Sequence, residues 1–139
     1  MAGSTSMTPA AARTDSFTAA HWVGIAAAVV SALVHLALGI RFLADFLDAG
    51  LTVSLAMGVA FLLATAGFLL GVWLVFSGRF LPTVYLLGIP FTAGQIVLWY
   101  ALNSPGLPAP PSINPISAAD KLAQIVLIAV LVSLYRRES

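Results

Sequence analysis

Residues 51–76 have the sequence LTVSLAMGVAFLLATAGFLLGVWLVF, which contains no charged side chain. As an α-helix this run would be about 39 Å long at ~1.5 Å per residue, enough to cross the ~30 Å hydrocarbon core of a bilayer. Three further apolar runs occupy about residues 18–40, 81–102 and 119–135. The pattern predicts four transmembrane helices within a single domain, residues 17–139.

The composition of the chain points to lipid as its solvent. Of 139 residues, 60% are hydrophobic and only 8% are charged, whereas soluble domains are roughly 25% charged. Such a chain cannot cover a water-facing surface with polar groups, so we predict a multi-pass protein of the cell membrane. The net charge of +1 provides no basic surface for nucleic acid. The absence of cysteine excludes disulfides and thiolate metal sites.

Polar segments separate the apolar runs. The first 16 residues are rich in Ala, Ser and Thr and are predicted to be a disordered tail. Arg41, Asp45, Asp48 and Gly50 predict a short polar turn after the first span, and Gly78 suits the left-handed residue that ends a helix.

The second half of the chain is marked by proline. Pro90 lies inside the third run and predicts a kinked helix, because proline removes one backbone hydrogen bond. A proline-rich linker follows at 103–117. Ser117 and Asp120 match the capping-box spacing, so we predict that the fourth helix begins there, with Asp120 and Lys121 at its outer end.

Basic residues near the helix ends predict the orientation. Cytoplasmic loops carry an excess of Lys and Arg. The side that holds both termini has four basic residues, and the other side has two: Arg13, Arg79, Arg136 and Arg137 against Arg41 and Lys121. Both termini are therefore expected in the cytoplasm.

Small residues at helical spacing mark faces where helices can approach closely in lipid. They lie on the first, second and third predicted helices: Gly24, Ala28 and Gly39; Ala60, Ala64, Gly67 and Gly71; and Gly88. We expect these faces to meet inside an all-α, antiparallel four-helix bundle. The same faces would also suit a homo-oligomer or contact with other membrane subunits.

Few residues in the spans can carry chemistry. His35 lies near the middle of the first span and shares its helix face with Ser31, while Thr92 and Gln95 share a face of the third helix. A histidine at this depth should be neutral and hydrogen-bonded. It could serve as an interhelical hydrogen bond to Gln95, to Thr92 or to a carbonyl near Pro90, or it could take part in proton transfer, quinone contact or ligation.

His21 lies 14 residues before His35, which is ~21 Å along a helix and only about 40° around it. Both imidazoles would therefore face the same way, as paired haem ligands do in membrane cytochromes. This spacing raises haem b or quinone as a candidate cofactor, although the chain has only two histidines. The simpler interpretation is that His21 is an interfacial residue.

Several functional classes lack the residues that they need. With Asp120 and Lys121 assigned to the outer end of a helix, no span is expected to bury a charged side chain, so proton-coupled active transport is not expected. The sequence contains no catalytic triad, no phosphate-binding glycine loop and no metal-ligand cluster. We predict no catalytic residue and no metal site.

Four stretches resemble an uncharacterised family of small four-helix membrane proteins from haloarchaea. These stretches are LLGIPFTAGQIVLWY at 86–100, HWVGI at 21–25, VHLALG at 34–39 and LYRRES at 134–139. The resemblance covers nearly all of residues 20–139. It implies a haloarchaeal cell membrane and four helices, and it assigns no activity or cofactor.

The function expected from these observations is that of a non-enzymatic accessory or scaffold component of a membrane protein assembly. The alternatives are a redox subunit that holds haem b or quinone at the face shared by His21 and His35, and a small oligomeric pore.

Overall fold

The computed structural model describes residues 14–104 and 113–138. These residues form four long helices, and the described ranges contain no strand: α1 (Ala19–Ala49), α2 (Thr52–Ser77), α3 (Leu81–Asn103) and α4 (Pro115–Glu138). The all-α prediction is confirmed, and each helix is long and apolar enough to cross a membrane. The predicted tail at 1–16 and linker at 103–117 lie mostly outside the described residues.

Neighbouring helices run in opposite directions. α1 packs along α2 and α4, and α4 packs along α3, whereas α2 and α3 touch over a short stretch only. Cross-helix contacts show these directions. Between α1 and α2, Trp22 meets Phe76 and Gly39 meets Gly58. Between α1 and α4, His21 meets Glu138 and Ser31 meets Asp120, and between α3 and α4, Gly88 meets Leu131 and Gln95 meets Gln124. The result is an antiparallel bundle with a gap between α2 and α3.

The first helix is longer than predicted. Arg41, Asp45 and Asp48 lie within α1, so the predicted polar turn is wrong at these three positions, whereas Gly50 does end the helix, with φ 66°. Nothing between residues 41 and 49 breaks a helix, and Arg41 and Asp45 have the spacing of a favourable pair on one helix face. Polarity at this point ends the apolar run without ending the helix.

The fourth helix begins earlier than predicted. The Ser117 amide donates to Asn114 Oδ1 at 2.8 Å, and the Asn114 amide donates to Ser117 Oγ at 3.1 Å. The capping pair is therefore Asn114 with Ser117, and α4 starts at Pro115, where proline lacks only an amide that the helix would leave unbonded. Asp120 is consequently not a cap. It lies in the second turn and faces the bundle.

The other predicted helix breakers are found inside or at the ends of helices. Gly78 ends α2 with φ 68°, as its position in the sequence predicted. Pro90 lies inside α3, which continues as one helix from Leu81 to Asn103. The kink at Pro90 stays a prediction.

Small residues bring α1 close to its neighbours. A Cβ atom at Gly39 would lie 2.8 Å from the Leu62 side chain and 3.3 Å from the Gly58 carbonyl oxygen, and one at Gly24 would lie 2.8 Å from Val130. The closest approach of α1 and α2 thus depends on Gly58, which the predicted stripe of α2 did not include. Ala28 is buried in the same core.

The predicted stripe of α2 faces the gap toward α3. Gly67 meets the ring of Phe91, but a Cβ atom at Gly71 would have nothing within 4 Å. Ala60 and Ala64 line the surface of the gap farther along α2. This stripe therefore borders open space over most of its length.

Candidate functional site

A cluster of polar side chains is buried where the start of α4 meets the middle of α1. Asp120 is only 3% exposed, His35 4% and Ser31 0%. Ser31 and His35 are one turn apart, so they share the face of α1 that looks toward α4. We call the following six residues the polar cluster: Ser31, His35, Gln95, Asp120, Lys121 and Gln124.

Asp120 is the centre of the polar cluster. Its Oδ1 accepts a hydrogen bond from Ser31 Oγ at 2.7 Å, and its Oδ2 accepts one from Lys121 Nζ at 2.9 Å. Hydrogen bonds to an ionised carboxylate are shorter and stronger than neutral ones. Both oxygens of a buried carboxylate are thus satisfied, one from α1 and one from α4.

His35 is bonded through its own helix. His35 Nδ1 lies 2.8 Å from the carbonyl oxygen of Ser31 and 3.8 Å from Asp120 Oδ1. A carbonyl oxygen only accepts, so Nδ1 carries the proton and donates it, which leaves Nε2 as the basic nitrogen. The ring packs against Phe61 and Phe68, with centroid distances of 5.4 and 5.6 Å.

The predicted partners of His35 are only partly those in the structure. The carbonyl acceptor belongs to Ser31 on the same helix, one turn back, and not to the region of Pro90. The Gln95 side chain also interacts with the imidazole. Thr92 is buried, but its hydroxyl makes no hydrogen bond within the described residues.

Amide side chains extend the polar cluster to α3. Lys121 Nζ donates to Gln124 Oε1 at 2.8 Å, and Gln124 Nε2 donates to Gln95 Oε1 at 3.2 Å. The same ammonium lies 5.6 Å from the ring centre of Trp99, within range of a cation–π interaction. Polar contacts therefore join α1, α4 and α3 in one connected network.

The charged part of this network differs from the sequence prediction. The pattern at Ser117 and Asp120 predicts that Asp120 and Lys121 lie at the outer end of a helix and that no span buries a charged side chain. The overlooked signal is the second capping pattern at Asn114 and Ser117, which moves the helix start one turn earlier and carries Asp120 inward. An adjacent Asp and Lys also form a neutral pair, which is easier to bury than either charge alone.

His21 has a different role from His35. The Thr18 amide donates to His21 Nδ1 at 3.0 Å, and the imidazole stacks on Phe17 with ring centres 4.8 Å apart. Its Nε2 lies 3.4 Å from the Glu138 carboxylate. His21 thus closes the start of α1 and links it to the end of α4.

The gap between α2 and α3 has an inner and an outer part. The inner part is a cavity of about 80 Å³ whose walls are mostly apolar. Gly67, Gly71, Gly88 and Thr92 are among the residues that line it. The outer part is a surface groove of about 370 Å³, which we call the α2–α3 groove. The residues that line it are Ala60, Leu63, Ala64, Phe91, Gly94, Gln95 and Leu98.

Within residues 14–104 and 113–138, no three His, Asp or Glu side chains come close enough together to hold a metal ion. No curated protein and no solved structure matches the chain. The family described as a family of unknown function, DUF7475, matches residues 9–135, and the chain therefore belongs to that family.

Proposed function

We propose that this chain is a four-span protein of a haloarchaeal cell membrane, with both termini in the cytoplasm, and that it acts as a non-enzymatic accessory component that holds the transmembrane helix of a partner subunit. The single observation that carries the accessory role is the α2–α3 groove, an open, small-residue surface between two helices.

The distribution of side chains supports a membrane location. Large apolar side chains such as Leu33, Val53 and Leu87 are more than half exposed, while Asp120 and His35 are buried. In water this arrangement would expose far more apolar surface than soluble proteins tolerate. In lipid it places apolar groups against the acyl chains and lets the polar groups satisfy one another.

The basic residues support cytoplasmic termini. Lys121 belongs to the polar cluster through its bond to Asp120, so it does not count as a loop charge. Only Arg41 then remains on the side opposite the termini. The side of the termini keeps Arg13, Arg79, Arg136 and Arg137, which the positive-inside rule assigns to the cytoplasm.

The α2–α3 groove has the features of an unfilled helix contact. Ala60 and Ala64 on one wall and Gly94 on the other leave the backbones accessible, and a Cβ atom at Gly94 would have nothing within 4 Å. Helices in lipid associate through such surfaces, because close backbone approach gives the packing contacts that burial of Leu cannot. Gln95 adds a half-buried amide to the groove wall, which favours a protein occupant over a lipid chain.

The alternative functions have less support. A haem held by His21 and His35 would need an unprotonated nitrogen on each imidazole, but the Thr18 amide donates to His21 Nδ1, which leaves the proton of a neutral ring on Nε2, 3.4 Å from Glu138. A pore would need a continuous wet interior, whereas the cavity between the helices is only about 80 Å³ and has mostly apolar walls, which tend to stay dry.

Photo-crosslinking tests the proposed contact. A photoreactive amino acid replaces Leu63 on the groove wall in the full chain, expressed in its native host. In a reference variant it replaces Leu33, a lipid-facing residue of α1. We expect one discrete protein adduct from position 63 and none from position 33. An adduct the size of two copies would identify the partner as a second copy of this chain.

Matched small-to-large variants complete the design. Gly94→Leu fills the α2–α3 groove and should abolish the adduct. Ala37→Leu adds only one carbon atom less, at an exposed position of α1, and should leave the adduct unchanged. Adducts with lipid alone at position 63, or an adduct that survives Gly94→Leu, would contradict the accessory role.

A further inference from the structure

The polar cluster contains one anion and two groups that can be cations. Asp120 Oδ2 is 2.9 Å from Lys121 Nζ, and Asp120 Oδ1 is 3.8 Å from His35 Nδ1. Asp120 and His35 are buried, and the Lys121 side chain is 12% exposed. Whichever group carries a positive charge must therefore be neutralised inside the bundle or leave it.

With His35 neutral, the cluster is balanced. Lys121 and Asp120 cancel each other, and the proton on His35 Nδ1 is used in the bond to the Ser31 carbonyl. The basic Nε2 is on the opposite side of the imidazole from Nδ1, so it can accept a proton without breaking that bond. The imidazole thus keeps one basic nitrogen, and the Gln95 side chain is a further polar group that interacts with the ring.

With His35 protonated, the cluster has one positive charge too many. Neighbouring helices cannot supply a second anion, because α2 and α3 contain no Asp, Glu, Lys or Arg. The groups that they bring to the ring are Phe61 and Phe68 from α2 and the Gln95 side chain from α3. The nearest charged residue on α1 itself is Arg41, about 9 Å farther along the axis. Among the described residues, the only anion beside His35 is Asp120, which already pairs with Lys121.

Lys121 is the cation that can leave. It lies about 9 Å along α4 from the first residue, Pro115, and a lysine side chain can extend its ammonium toward water while its stem stays in apolar surroundings. The His35 ring is held by its bond to the Ser31 carbonyl and by two Phe rings, so it cannot swing out toward water in this way. The two cations therefore differ in mobility.

We propose that His35 is a proton-binding site and that Asp120 exchanges its ion-pair partner when the proton binds. One proton from water adds to His35 Nε2, and the resulting imidazolium, with Nδ1 3.8 Å from Asp120 Oδ1, becomes the charge partner of Asp120 while Nδ1 stays bonded to the Ser31 carbonyl. The Lys121 ammonium then moves outward, away from Gln124 and Trp99. The ligand of the site is the proton, and the moving group is Lys121. The exchange does not depend on the partner helix proposed for the α2–α3 groove.

Two signals report the two halves of the exchange. The purified full chain in lipid nanodiscs is titrated from about pH 8 to about pH 4, the range in which histidine side chains change charge. NMR signals of the imidazole carbons report proton binding, and those of the other histidine are identified with His21→Gln. Fluorescence of Trp99, isolated by Trp22→Phe and Trp73→Phe, reports departure of the ammonium from its ring.

We expect the His35 signals and the Trp99 emission to change reversibly at one common midpoint on acidification. Both changes should be lost in His35→Gln, which keeps a side chain that can donate to the Ser31 carbonyl. Lys121→Met removes the competing cation, so its His35 midpoint should move to higher pH, while its Trp99 emission should no longer respond.

Three results would overturn the proposal. His35 signals that stay constant across the pH range in a folded bundle would remove the proton site. Proton binding without a change in Trp99 emission would remove the exchange. A His35 midpoint that is unchanged or lower in Lys121→Met would show that the two cations do not compete, and circular dichroism of each variant establishes that the helices remain intact.

Discussion

Asp120→Asn removes one negative charge from the polar cluster without changing the size of the side chain. The carboxylate accepts hydrogen bonds from Ser31 at 2.7 Å and from Lys121 at 2.9 Å. The amide oxygen of asparagine can still accept from one of these donors, but its NH2 group would face the other donor. Lys121 is then a buried cation without an anion. Breaking a buried ion pair by removing one partner typically costs about 3–5 kcal/mol.

The expected cost in this bundle is at or below the lower limit of that range. The Lys121 side chain is partly exposed and can turn its ammonium outward, so we expect Asp120→Asn to lower the free energy of unfolding by about 2–3 kcal/mol. Lys121→Met leaves a carboxylate that keeps its hydrogen bond to Ser31 and still has His35 Nδ1 3.8 Å from its Oδ1. Its cost should be smaller, about 1–2 kcal/mol.

A double-mutant cycle separates the charge effect from packing. Replacing both partners by neutral groups removes the uncompensated charge, so the double variant should cost less than the sum of the single variants by about 1 kcal/mol or more. The measurement is reversible unfolding of the full chain in mixed micelles at neutral pH, driven by a denaturing detergent and followed by circular dichroism. Two results would refute a stabilising buried ion pair: a loss of less than about 0.5 kcal/mol in the free energy of unfolding of Asp120→Asn, or a loss in the double variant equal to the sum of the losses in the single variants.

Two further predictions concern packing and cofactor binding. Gly58→Leu should destabilise the bundle by about 1–3 kcal/mol, because a Cβ atom there would lie 2.8 Å from the Leu43 side chain and 3.2 Å from its backbone nitrogen. Gly71→Ala should be neutral in the same unfolding assay, because a Cβ atom at Gly71 would have nothing within 4 Å. Equal losses of stability in the two variants would contradict this packing. Protein purified from haem-replete cells should show no Soret band, and a Soret band that disappears in His35→Ala would overturn the accessory role.

The helical architecture could be predicted from composition and run length. A run such as residues 51–76 has no charged side chain, and helical pairing within the segment satisfies every backbone polar group without water. The helix ends were harder to predict from the sequence. Gly78 was predicted correctly because a left-handed residue has a local signature, whereas the charged residues 41–48 marked only a change in polarity.

The choice between overlapping local signals was made by the tertiary structure. Asn114 with Ser117 and Ser117 with Asp120 have the same spacing, and both satisfy the rules for a helix start. The first pair leaves Asp120 free to meet Ser31 on α1. Since that contact joins residues far apart in the chain, no local pattern could select it.

Sequence alone determined that this chain forms long apolar helices with His35 among the few polar groups inside them, because helix formation and lipid preference depend on residues that are neighbours in the chain. Only the tertiary structure decided that Asp120 and Lys121 are buried beside His35, that α1 approaches α2 at Gly58, and that the stripe of α2 borders an open groove. These features depend on how far apart the helix axes lie and on how each helix is rotated, and both result from side-chain packing summed over the whole bundle.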